Sequence, residues 1–278
     1  MDKTTAHLPP LFISHGSPMT ALEPREAGQF MQTLGPQITQ RFGRPKAILA
    51  VSAHSLTREP VLLAGARHEA VYDFGGFDEK LYTLRYDAPG APALAARVRG
   101  LLQAAGLPCH AVDEGGLDHG IWTPLRYMFP EADIPVLPLA WPPNWSPAQL
   151  MALGAALAPL ADEGLLIMAS GSITHNLRRV FANGRVAVDQ PATPESTAFR
   201  DWFVERSAAR DWEALAAYRT QAPHAALMHP TDEHLLPWYV AAGAGGRDAA
   251  PQRIHASLTF GDLGMDAYAF GPEADRLG

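Results

Sequence analysis

Cys109 is the only cysteine in 278 residues. That excludes an intramolecular disulfide and any metal site built from several thiolates, so a bound metal must take nitrogen or oxygen ligands. It also suits a reducing compartment. Basic charge is scarce too: 22 Lys and Arg stand against 29 Asp and Glu, a formal net charge of -7. The basic residues are scattered rather than striped, so no nucleic-acid partner is expected. Apolar runs such as ALGAALAPLA fall far short of the ~20 residues that cross a bilayer. The amino-terminal MDKTTAHLPPLFISHGSP lacks the apolar stretch of a secretory signal. A cytoplasmic protein with no membrane partner is expected. Repeats and low-complexity tracts are missing, and the 25 prolines and 24 glycines are spread along the chain. They punctuate many short connections instead of marking one linker, so residues 1–278 read as a single domain.

What is present is an alternation of strand and helix. PPLFIS, AILAVSA, IPVLPLA and LLIMAS are short, nearly continuous apolar runs, the pattern of strands buried on both faces. Pro138 restricts IPVLPLA to an edge or bulged strand. Val61–Leu63 begins a further strand, and HASLTF is a late one. Between them lie helical stretches. Residues 23–42 form one, broken or kinked near Gly35–Pro36. Residues 91–106 form another, stopped by Gly106. A third follows Ser146 as cap and Pro147 as first residue. Residues 193–218 are helical, and HLLPWYVAAGA is a short helix kinked at Pro237. The alternation predicts an α/β fold, a three-layer α/β/α sandwich around a mainly parallel or mixed sheet.

In such sheets ligands collect beyond the carboxyl ends of the strands. His15 follows PPLFIS, His54 follows AILAVSA, and His175 follows LLIMASGSIT. His119 sits in GLDHG near IPVLPLA, and His234 in HPTDEH before an apolar run. Singly, each is more simply a turn or core histidine; together they predict imidazoles gathered at one sheet edge, the usual sign of a metal. Gly16 and Pro18 force a turn at His15. Ser52 and Ser55 are placed to orient His54, and Asn176 to tether His175. His15 and His54 are expected on neighbouring parallel strands. The glycine-rich loop before His119 is placed to fold over a substrate. In HPTDEH, Asp232 caps a helix starting near Glu233. One of His229 and His234 ligates while the other supports the substrate, with Glu233 as an alternative carboxylate. The spacing does not match HExxH, which excludes that zinc protease pattern. Serine hydrolysis lacks its G-x-S-x-G elbow.

Six ordered segments carry a resemblance: PPLFISHGSPM, AILAVSAH, YDFGGFDEKLYTLRYDAPGAP, GLDHGIWTPLRYMFPEADIPVLPL, ASGSITHNL and HPTDEHLLPWYVAAGA. Spanning residue 9 to about residue 244, the chain resembles the LigB-type class III extradiol ring-cleaving dioxygenases, in their DOPA 4,5-dioxygenase-like branch. The resemblance implies one catalytic domain over residues 1–278 that cleaves a catechol ring with incorporation of O2. It implies Fe(II) for catalysis, with Zn(II) expected in the isolated protein. His15, His54 and His234 match the metal ligands, His175 the acid/base group, and His119 the histidine facing substrate and oxygen. His229, Tyr72 and Phe74 are further expected substrate contacts, with Phe77 in the same aromatic wall. The expected partners are a small catechol and O2, with the chain a monomer or homodimer. A zinc-dependent hydrolase, or a non-catalytic metal- or ligand-binding protein on the same fold, is the alternative.

Overall fold

LFIS, AILAVS, VLPLA and LLIMASG are buried along their whole length and form the centre of one eight-stranded sheet. The computed structural model describes residues 7–182 and 187–278. In chain order the strands are β1 (Leu11–Ser14), β2 (Ala47–Ser52), β3 (Val61–Leu63), β4 (His110–Val112), β5 (Val136–Ala140), β6 (Leu165–Gly171), β7 (Gln252–His255) and β8 (Ala267–Ala269). Their order across the sheet is β4-β3-β5-β2-β6-β1-β8-β7. β5, β2, β6 and β1 are mutually parallel, while β3 and β8 join them antiparallel, so the sheet is mixed.

The two faces of the sheet bury alternate residues, as a pleated strand requires. Leu49, Val51, Leu137, Leu139, Ile167 and Ala169 pack on one side. There they meet helices α2 (Pro92–Ala104), α4 (Pro147–Leu157), α5 (Pro194–Ala208) and α6 (Pro237–Gly245). Leu11, Ile13, Ile48, Ala50, Leu166 and Met168 pack on the other side against α1 (Arg25–Phe42) and α3 (His119–Met128). A one-residue slip of any central strand would exchange its two sets of side chains between two different cores, so the register is strongly fixed.

Several local expectations need correction. α1 continues through Pro36 without a break, with Pro36 on its exposed side. Its neighbour Gly35 serves close packing: a Cβ there would stand 1.8 Å from the Met128 carbonyl oxygen. Pro237 does not kink a helix but opens α6, where a missing N–H costs nothing. β5 is interior despite Pro138. Ile48 N–H donates to Pro135 C=O, so in this parallel register the imide nitrogen of Pro138 faces β3, whose pairing covers only Leu139 and Ala140. The helical stretch 193–218 is divided at Arg210, which takes φ +56, and Asp211 caps the next short helix, Trp212–Ala216. HASLTF is split: His255 ends β7, and Leu258–Thr259 forms a separate hairpin with Leu263–Gly264. Pro147 opens α4 as expected, with a reciprocal Ser146–Gln149 capping box. Among the described residues no helix is long and apolar enough to cross a membrane.

α4 and α6 approach through glycines. A Cβ on Gly154 would lie 2.0 Å from the Val240 carbonyl oxygen, and one on Gly243 2.1 Å from that of Met151. Overpacking of this kind costs about 1–3 kcal/mol, and each kcal/mol lowers Tm by about 2–4 °C at this size. Gly154→Val is therefore expected to melt several degrees below the parent in a thermal denaturation scan. An unchanged Tm would mean the two helices have slack.

Candidate metal centre

The parallel strands β1, β2 and β6 all end at the same edge of the sheet, and their continuations carry His15, His54 and His175. β1 and β2 are not neighbours as expected, since β6 lies between them. Their histidines must reach across two strand spacings, ~10 Å. The small residues Ala169, Ser170 and Gly171 ending β6 leave room for this. His15 N–H donates to Gly171 C=O at 3.1 Å, and Ser172 N–H donates to His234 C=O at 2.8 Å. A Cβ on Gly171 would stand 2.0 Å from that His234 oxygen, so glycine is what lets the His234 turn lie on the strand end. The turn is not the helix expected from Asp232: Leu235 and Leu236 N–H donate to the Asp232 carbonyl, and helix begins only at Pro237. His119 lies at no strand end; it is the first residue of α3. Gly120 admits it, because a Cβ there would meet Ser52 Oγ at 2.5 Å and His15 Nδ1 at 3.1 Å.

Five imidazoles thereby converge. His15 and His54 bring their Nε2 atoms to 3.1 Å. The His119 ring centroid is 4.1 Å from that of His54 and 5.2 Å from that of His15. The His234 ring is 5.0 Å from His54 and 5.5 Å from His15. His175 stacks on His234 at 3.5 Å. Candidate ligand atoms of His15, His54 and His119 lie within 4.8 Å of one another, as do those of His175, Glu233 and His234.

The outer nitrogens set the tautomers. Ser170 donates its hydroxyl proton to Gly120 C=O (2.5 Å), so its oxygen accepts from His15 Nδ1–H at 2.8 Å. Asp73 accepts from His119 Nδ1–H at 3.0 Å through one carboxylate oxygen and faces His54 Nδ1 at 3.4 Å through the other. Glu233 Oε1 accepts from His234 Nδ1–H at 3.2 Å. With Nδ1 of His15, His119 and His234 carrying the proton, their Nε2 lone pairs remain free as ligands, the arrangement that outer acceptors impose on metal-binding histidines. Burial, reinforced by the neighbouring imidazoles, holds His15 and His234 well below the usual histidine range. Burial and His119 bring His54 to about 3, and burial brings His175 to about 4. Burial alone would raise Asp73, but its bonds from His119 prevail and its carboxyl titrates below the usual range.

The residues fit a divalent metal. Two lone pairs 3.1 Å apart repel with nothing between them. Nitrogens bound at ~2.1 Å in a roughly tetrahedral set stand about 3.4 Å apart, close to what His15 and His54 present. The histidines line a cavity of about 570 Å³, within the ~300–1,000 Å³ range of small-molecule sites.

Phe74 and Phe77 line this cavity as expected, but two other expected contacts do not. Tyr72 lies behind Phe74, its hydroxyl donating to Leu84 C=O at 2.6 Å. His229 is fully buried with Nε2 bonded to Ile173 C=O at 2.7 Å and its ring against Phe199; it supports the turn and does not reach the cavity. Ser52 and Ser55 do not orient the His54 ring. Both hydroxyls donate at 2.6 Å to Asp118, which braces the end of β2. Asn176 caps the short helix Leu177–Phe181 instead of holding His175. Leu117, after Gly115–Gly116, pairs with Glu69 and Val71, and neither glycine lines the cavity. Sequence reasoning missed Asp73, Ser170, Phe181 and Phe260. Only Asp73 had a signal, beside the aromatics of YDFGGF.

Comparison with known proteins places residues 3–271 in a match to the family described as the catalytic LigB subunit of aromatic ring-opening dioxygenase. A Beta vulgaris protein named 4,5-DOPA dioxygenase extradiol is 39% identical, over 93% of this chain and 95% of its own. An Escherichia coli K12 protein of the same name is 36% identical, over 87% and 86%. The crystal structure of an uncharacterized E. coli K12 protein superimposes with a TM-score of 0.76 at 32% identity, covering 95% of this chain and all of that one.

Loss of an outer carboxylate typically weakens metal affinity about 10–100-fold. Asp73→Asn, which keeps the size and loses the charge, is expected to weaken Zn(II) binding by that amount in a chelator competition. Parent-like affinity would show that Asp73 does not set the histidine tautomers.

Proposed function

The chain belongs to the LigB family of aromatic ring-opening dioxygenases, and on that premise we propose that His15, His54 and His234 hold the metal of its extradiol reaction, with His175 as acid/base and His119 facing substrate and O2. The protein is a metal-dependent extradiol ring-cleavage dioxygenase of a catechol-like small molecule. Four imidazoles converging at the floor of one cavity, three of them with Nδ1 bonded to an outer acceptor, are the observation that carries the assignment.

His234 is chosen over His119 as third ligand because His119 borders the cavity wall, with its ring edge-on to Phe74 at 5.5 Å. That supports a role beside the substrate ring. Three protein ligands would leave a bound metal accessible to the substrate and to O2. The all-nitrogen set departs from the two-histidine, one-carboxylate pattern of many non-haem iron sites and suits zinc equally well, so we assign Fe(II) to the active enzyme and expect Zn(II) in isolated material. When bound, the metal acidifies the catechol hydroxyls and supplies the redox chemistry that O2 requires. His175, neutral because it is buried, takes a hydroxyl proton onto its ring and returns it as the aromatic ring opens. The names of the Beta vulgaris and E. coli relatives support a 3,4-dihydroxyphenyl substrate.

The single eight-stranded sheet supports one catalytic domain over residues 1–278, acting as monomer or homodimer. The lone, buried Cys109 supports a cytoplasmic location.

Protein reconstituted anaerobically with Fe(II) is expected to consume O2 one-to-one with added catechol on admission of air and to form a yellow ring-opened product. Hydrolysis by the Zn(II) form, with no oxygen uptake by the Fe(II) form across a catechol panel, would overturn the reading. The roles separate by mutation. His175→Ala should keep its metal and lose ~10²–10⁴-fold in turnover, the usual share of general acid–base catalysis, whereas His234→Ala should lose metal. The reverse pattern would exchange base and ligand.

A further inference from the structure

We propose that Asp262 is a positioning residue for His175, holding the turn that carries it from both sides. This rests on the reading of His175 as the acid/base group, and it concerns what keeps that ring aimed at the cavity.

His175 lies flat on His234, with ring centroids 3.5 Å apart and 8° between the planes. A stack sets the plane of a ring, whereas the rotamer that aims its nitrogens follows from the backbone. That backbone is tied on both sides to one residue, at the tip of the hairpin of Leu258–Thr259 and Leu263–Gly264. Before His175, the buried Thr174 hydroxyl donates to Asp262 C=O at 2.6 Å and accepts from Gly264 N–H at 2.7 Å. After it, Arg179 of the helix Leu177–Phe181 pairs through Nε with the Asp262 carboxylate at 2.8 Å. The other carboxylate oxygen accepts from the hydroxyl of Thr193, the cap of α5. Residues 174 and 179 thus bracket His175, and Asp262 holds both.

The hairpin tip is a firm anchor. Asp262 is only 4% exposed, and a charge so far from water persists only when paired. A buried ion pair adds little net stability over apolar packing of the same volume, so what it contributes here is fixed geometry. Thr193 N–H donates to Gly261 C=O at 2.9 Å, and Phe260 N–H to Val188 C=O at 2.8 Å. Phe260 holds φ +55, which a bulky residue keeps only where its surroundings over-determine it.

The test is Asp262→Ala. Arg179 also donates to Glu195 at 2.7 Å, so the change leaves it a counter-ion. Oxygen uptake by the Fe(II) form with a 3,4-dihydroxyphenyl substrate is expected to show kcat about 10-fold lower or more, since a misplacement of about 1 Å costs up to ~100-fold. KM and Zn(II) affinity should hold. In the His175→Ala background the same change should cost nothing further, because a residue acting through another has no effect once that other is gone. A loss that multiplies with that of His175→Ala would give Asp262 a general structural role and overturn the proposal, as would an unaltered kcat. A readout without turnover is the His175 ring in proton–nitrogen correlation spectra of Zn(II)-loaded protein, assigned by its absence in His175→Ala. Its signals should shift or broaden in Asp262→Ala while those of His15 and His54 hold; unperturbed His175 signals would overturn the proposal with or without activity. Arg179→Gln cuts the link from its other end and is expected to give the same pattern, which keeps the test decisive should Asp262→Ala not fold. Oxygen uptake by the parent, and its loss in His175→Ala, read the acid/base assignment by themselves.

Discussion

Five imidazoles in one buried pocket cannot be charged together, and much of the site follows from that constraint. Each cation would have to leave water and stand within about 5 Å of others. Burial therefore keeps His15, His54, His175 and His234 neutral, and a neutral imidazole has one nitrogen with a proton and one with a lone pair. Unless the proton is directed, the lone pair can point either way. Ser170, Asp73 and Glu233 remove that choice by accepting from Nδ1. What remains is a set of inward lone pairs whose mutual repulsion only a cation relieves. Metal affinity thus originates as much in the outer acceptors as in the histidines.

The sheet makes such crowding possible. Three parallel strands ending together provide a rigid rim, and the middle one ends in Ala169–Ser170–Gly171. A larger residue at Gly171 would displace the His234 turn, and one at Gly120 would displace α3 and His119. Ser170 fills the space left between the histidines and also supplies the acceptor for His15. The small residues are thus as specific to this site as the imidazoles are.

Much of this was legible in the sequence. Apolar runs of four to seven residues ending in histidine mark strand termini, and the α/β alternation places those termini on one edge. Hence His15, His54 and His175 stood out from local pattern, whereas the choice of His234 over His229 came from the family resemblance. Pairings between distant segments were not legible. Ser170 reaches His15 across 155 positions, and Asp73 reaches His119 across 46; neither separation has a period. Phe181 and Phe260 were invisible for the same reason. His229 and Tyr72 were misplaced because a motif gives proximity in sequence, whereas side-chain direction depends on the turn. The prolines failed differently: Pro36, Pro138 and Pro237 each occupy a position where the missing N–H has no partner to lose, which depends on the neighbouring strand or on solvent rather than on the local sequence.

The charge balance of the centre links its inner and outer parts. On the proposed assignment all three ligands are neutral, so a divalent ion keeps its full charge within the ligand set. Asp73 and Glu233, one bond further out, supply two negative charges that offset it without contacting it. Moving the carboxylates outward leaves the ion more electrophilic toward a catechol's hydroxyls than a carboxylate ligand would. It also places Asp73 at the root of the aromatic wall, one residue before Phe74. The side chain that accepts from His119 and faces His54 is therefore joined to one wall of the cavity. Metal loading and the shape of the outer cavity are physically joined at that residue, and neither can be altered there without the other.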